Sequence, residues 1–101
     1  MSTPVDAYPD VYESLLDTDT EDALFRDFAN VAGGTEVSVK LAATRRTEIQ
    51  HVFSLHDARN ALHEGTVRAL QVRYRHDGLL WIDTLLRVDG QTKLIRTATP
   101  M

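Results

Sequence analysis

Asp77-Gly78-Leu79-Leu80-Trp81-Ile82-Asp83-Thr84-Leu85-Leu86-Arg87-Val88-Asp89-Gly90 is the stretch that decides the fold. Asp-Gly between apolar-rich runs is the preferred type I′ hairpin turn, because both central positions need positive φ and the turn's twist matches that of the strands it joins. Two such turns in succession predict a three-stranded antiparallel β-meander with strands near 66–76, 79–88 and 91–98. With two-residue loops the register follows. Tyr74 faces Trp81, Val72 faces Asp83 and Leu70 faces Leu85; in the second hairpin Leu85 faces Leu94 and Asp83 faces Arg96, all on one side of the sheet. The other side then presents Gln71, Arg73 and Arg75, then Leu80, Ile82, Thr84 and Leu86, then Lys93, Ile95 and Thr97. A strand covered on one side only alternates polar and apolar residues. This middle strand is apolar on both faces, so part of each face must be covered.

Working upstream, Val37, Val39, Leu41 and Ala43 alternate with Glu36, Ser38, Lys40 and Ala42, which predicts a strand over 36–43 that Thr44-Arg45-Arg46-Thr47 breaks. Residues 47–64 allow two readings. One is a short strand over 49–53 followed by a helix capped by Ser54, with Asp57 three residues on and Gly65 as its stop; the other is a single helix from Thr47 to Glu64. The stripe Ile49, Val52, Phe53, His56 does not merge with the stripe Leu55, Ala58, Leu62, which favours the split. Thr18 with Glu21 three residues later forms a capping box, acids fill the first turn, and Leu24, Phe28 and Val31 line one stripe. These predict a helix over 19–32, stopped by Gly33-Gly34. Residues 1–17 read as an acidic, loosely ordered arm in which Val11, Tyr12, Leu15 and Leu16 could make one short helical turn. The expected class is α+β: an N-terminal helix, one or two strands, a second helix and the meander, in a single domain over 18–101.

At 101 residues and 43% apolar content the chain suits one domain with a thin core. Without cysteine there is no disulfide framework, thiol nucleophile or thiolate metal site. No apolar run reaches the length of a membrane span, and Met1-Ser2-Thr3-Pro4-Val5-Asp6 has neither the basic nor the apolar region of a signal peptide. A cytoplasmic protein of bacterial type, without membrane contact, is the expectation. Charge is uneven. Residues 1–30 hold eight acids against Arg26 alone, a net of −7, whereas the rest carries ten bases and seven acids, a net of +3. Such asymmetry fits an acidic arm lying over a basic surface.

Catalytic signatures are missing: no G-x-S-x-G context, no phosphate loop, no dinucleotide fingerprint. His56 and His63 stand seven residues apart, two helical turns, too far to share one ion without a third element. No catalytic residue, metal or cofactor is therefore assigned. Asp83 is the most informative single residue, since a carboxylate among Val72, Trp81, Leu85 and Leu94 needs a partner, and Arg96 lies opposite. The plain reading is a cross-strand pair that fixes register. The functional reading makes Asp83 and Arg96 the polar floor of a pocket walled by Trp81 and Tyr74. Arg73 and Arg75, on one face of a strand, are candidate contacts for an anion or a partner. Nucleic acid is disfavoured by the acidic total and by the lack of aromatics interleaved with the basic residues. Leu80, Ile82, Leu86 and Ile95, bordered by Arg73, Arg75 and Lys93, resemble the core of a homodimer interface.

The wording Arg73-Tyr74-Arg75, Trp81-Ile82-Asp83-Thr84-Leu85-Leu86-Arg87 and Leu94-Ile95-Arg96 resembles the closing strands of cone-shaped α+β folds such as the nuclear-transport-factor-2-like proteins. It covers about a third of the chain, rests on strand composition and transfers no residues. Three functional expectations follow. The first is a non-catalytic accessory or interaction domain working through its sheet and acidic arm. The second is a small-molecule-binding cone, or an enzyme of that shape, with its pocket at Asp83, Arg96 and Trp81. The third is a nucleic-acid module using Arg73 and Arg75. A cavity opening at Asp83 would favour the second, a filled core the first.

Overall fold

The structure, a computed structural model, describes residues 10–41, 49–50 and 54–100. Its elements run β1 (Asp10–Leu16), α1 (Thr18–Ala29), β2 (Glu36–Leu41), β3 (Ile49–Gln50), α2 (Leu55–Glu64), β4 (Val67–His76), β5 (Leu79–Val88) and β6 (Gln91–Pro100). The six strands form one sheet in the order β1-β6-β5-β4-β2-β3, and each neighbouring pair is antiparallel. The class is α+β, with two helices. Among the described residues no helix is long and apolar enough to cross a membrane.

The meander has the expected register throughout, including Tyr74 beside Trp81, Val72 beside Asp83, and Asp83 beside Arg96. Asp77 and Gly78 sit at φ 54° and 75°, Asp89 and Gly90 at 52° and 81°, as two-residue turns of this hand require. The split reading of 47–64 also holds in the described part. Ile49–Gln50 pairs with β2, and Ser54 caps α2 by accepting from the Asp57 N–H at 3.0 Å. Gly65, in the left-handed region at φ 84°, ends the helix. Residues 42–48 and 51–53, and with them the end of the predicted 36–43 strand and most of the predicted 49–53 strand, lie outside the described residues.

Three expectations are corrected. Residues 10–16 are neither a loose arm nor a helical turn: they form β1, paired with β6 from Asp10–Ala98 to Leu16–Thr92. The outer edge of β6 would otherwise present a row of unpaired backbone groups, and β1 saturates it. This strand lies three places away from β4, beyond β6 and β5, so 10–16 does not lie over Arg73 and Arg75. Residues 1–9 of the predicted arm lie outside the described residues. Second, the cap of α1 is Asp17, whose Oδ1 accepts from the Thr20 N–H at 2.8 Å, and not the predicted Thr18. That bond holds the Asp17 carboxyl below the usual range. Third, α1 ends at Ala29, where Asn30 caps it, three residues before the predicted end.

Both helices pack on one side of the sheet. Phe25 and Phe28 of α1 and Ala58, Ala61 and Leu62 of α2 are buried with Val37, Val39, Leu70, Val72, Leu85 and Leu94. The register puts all these strand residues on one face. Among the described residues the opposite face carries neither helix. In particular, β2 joins the sheet beside β4 and does not fold back over Leu80, Ile82, Leu86 and Ile95.

Candidate functional site

The predicted constellation assembles around Asp83, which is fully buried on the helix side of β5. Arg96, its neighbour on β6, donates from Nε to Oδ1 and from Nη2 to Oδ2, each at 2.8 Å. This fork-on-fork geometry is the strongest form of an ion pair. Tyr74 adds an O–H bond to Oδ2 at 3.0 Å. The hydrogen bond to Asp83 raises Arg96 above its ordinary range, while burial first and the Asp83 charge second push the Tyr74 phenol up. Trp81 stacks parallel to Tyr74, with ring centroids 6.4 Å apart, and lies under the Arg96 guanidinium at 5.7 Å. Phe28 of α1 closes the group against Tyr74 at 5.9 Å.

Asp83 is thus sealed, and the space opens beside it, at Arg96. A cleft of about 620 Å³ lies between α1 and the β1, β6 and β5 strands, lined by Tyr12, Leu24, Asp27, Trp81, Leu94 and Arg96 among others. A second, of about 560 Å³, shares Leu24, Asp27 and Arg96 with it and adds Tyr74 and His76. Tyr12 and Asp27 carried no signal in the sequence. They line the same cleft as Arg96 through the unforeseen β1–β6 pairing and through the placement of α1.

Arg73 and Arg75 are exposed and line a third cleft, of about 500 Å³, with Gly33, Gly34, Glu36 and Leu80. Glu36 stands beside Arg73 in the register. Leu80, Ile82, Leu86 and Ile95 are half-buried on the helix-free face. On that same face β1 contributes Val11 and Leu15, which are 57% and 53% exposed.

A second polar cluster escaped sequence reasoning. Glu21 of α1, its side chain 3% exposed, accepts from Arg59 Nε at 2.7 Å and from His63 Nε2 at 2.6 Å, both on α2. Burial alone would raise its carboxyl, but bonds from Thr92, His63 and Arg59 outweigh burial and hold it below the ordinary value. Arg59 also reaches Asp22 and lies over the Phe25 ring at 4.8 Å. Thr92 in turn accepts from Arg87 at 2.9 Å. The one available cue was Arg59 and His63 at i, i+4 on one helical face, which names no partner. Among the described residues no group of three or more His, Asp or Glu side chains is arranged to hold a metal ion. Comparison with protein-family models, with curated proteins and with solved structures gave no match to this chain.

Proposed function

We propose that this chain is a small, non-catalytic, cytosolic interaction protein whose working surface is the helix-free face of its sheet, and that a second copy of the chain occupies that face. The observation that carries the reading is the apolar row Leu80, Ile82, Leu86 and Ile95, extended by Val11 and Leu15, with neither helix upon it among the described residues. In the register Thr84, Thr97 and the Glu13–Lys93 pair interleave with these aliphatics, the mixed apolar and polar make-up of a non-obligate interface.

Two further arguments favour a second copy. Five strands about 4.8 Å apart, seven residues deep at about 3.3 Å each, give a face of roughly 550 Å². Two such faces stacked together bury roughly 1,100 Å², just above the ~1,000 Å² expected of a biological contact. Charge is also distributed for twofold pairing. The β4 and β2 side carries Arg73, Arg75 and Lys40 against Glu36, whereas on the β1 and β6 side Glu13 is neutralised by Lys93 at 3.0 Å. A twofold axis along β5 lays the basic side of each copy over the neutral side of the other, an isologous arrangement that keeps like charges apart.

The test is the mass in solution by light scattering at micromolar concentration. A dimer is expected, and Ile82→Lys should give a folded monomer with unchanged circular dichroism. A monomeric wild-type mass sinks the proposal, and so does a folded Ile82→Lys protein that is still dimeric. An unfolded Ile82→Lys product would place Ile82 in the core and sink it equally.

A further inference from the structure

The cleft between α1 and the strands plays no part in that pairing, because it opens on the other side of the sheet. We propose that it is a binding site for a small amphipathic amine. Its size, about 620 Å³, falls in the range of small-molecule sites, and aliphatic side chains such as Leu16, Leu24, Leu79 and Leu94 supply much of its wall. Selectivity follows from the charges. Arg96 is the cation at the floor, but two of its nitrogens are committed to a fully buried carboxylate, so the pair is neutral and does not attract anions. Asp27, on the α1 wall, forms no ion pair among the described residues. It also stands in the final turn of α1, where the helix dipole adds negative potential.

The uncompensated charge in the cleft is therefore negative. An ammonium group at Asp27 would leave the apolar body of the ligand between Leu24 and Trp81, which both line the cleft. The remaining nitrogen of Arg96, Nη1, has no hydrogen-bond partner among the described residues and is free to donate to an acceptor on that body. Sealing of Asp83 fits the same picture: the network beneath Arg96 fixes the guanidinium in place before any ligand arrives, which lowers the ordering cost of binding.

Trp81 is the single tryptophan of the chain, so intrinsic fluorescence reports on this cleft. The probes are 2-phenylethylamine and 3-phenylpropionate, similar in size and opposite in charge. The amine is expected to change Trp81 fluorescence saturably at millimolar concentration, and to shift the amide signals of 12–16, 23–27 and 94–98. The carboxylate should bind at least about tenfold more weakly. Asp27→Asn, a change at an exposed position that leaves the fold intact, should erase the difference between the two. Equal or tighter binding of the carboxylate overturns the proposal. So does amine binding that Asp27→Asn does not weaken, or the lack of a saturable response to either probe.

Discussion

Two buried carboxylates in this molecule are each gripped by an arginine, yet they perform different structural work. Asp83 lies within the sheet and is held by its neighbours on the two adjoining strands, Arg96 and Tyr74. Glu21 lies between layers and is held by α2 on one side and by Thr92 of β6 on the other. The first clasp fixes which residues of one sheet stand side by side; the second fixes how two helices sit upon it. The difference also lies in what remains when a partner is lost. Both carboxylates are sealed, at 0% and 3% side-chain exposure, and in both networks the donors reach solvent, Arg96 at 30%, Arg59 at 26% and His63 at 40%. What differs is the number of basic partners: Asp83 depends on Arg96 alone, whereas Glu21 keeps one of Arg59 and His63 when the other is lost.

The sharpest break in that comparison is Arg96→Ala. It leaves the Asp83 carboxylate in an apolar layer without its counter-ion and should cost about 3 kcal/mol in chemical denaturation. Asp83→Ala should cost less, about 2 kcal/mol, because the Arg96 side chain is 30% exposed and can turn to water. Equal losses, or the reverse order, would mean that Asp83 is not sealed. Next comes Glu21→Ala, which removes bonds whose donors can be rehydrated and should cost about 1–2 kcal/mol. A loss as large as that of Arg96→Ala would show that Arg59 and His63 are not rehydrated when Glu21 is gone.

The smallest effect is in acid. Glu21 is held below its ordinary value of 4.5, so it contributes stability that is present above that value and lost as pH falls through the lower, folded one. Thermal melts of wild type and Glu21→Gln between pH 6 and 3 should therefore converge as the pH drops. Parallel curves would show that the Glu21 charge has no preferred partner in the folded state.

These two clasps also mark how far the sequence could be read. The Asp83–Arg96 pair was legible because two Asp-Gly turns of fixed geometry set the register of everything from Leu70 to Arg96. The caps of α2 were legible for the same reason, since Ser54 and Gly65 act within a few residues of themselves. Glu21 was misread. At its position in the first turn of α1 a capping role is the local explanation, and nothing nearby in the chain announces Arg59, His63 or Thr92. β1 was missed because Val11, Tyr12, Leu15 and Leu16 lack clean alternation, and its real cause is the free edge of β6, some eighty residues away. The cleft inherits that gap: its Arg96 and Trp81 were foreseen, its Tyr12 and Asp27 were not.

The joining of β1 to β6 has a consequence for how this chain is made. Synthesis runs from the N-terminus, so residues 10–16 leave the ribosome some eighty residues ahead of their hydrogen-bonding partners, 92–98. Until then the strand has no edge to dock on, and closing so long a loop costs entropy before any contact repays it. The sheet is completed only after translation has passed residue 98, and a chain interrupted within β6 loses two ladders at once, the one to β5 and the one to β1.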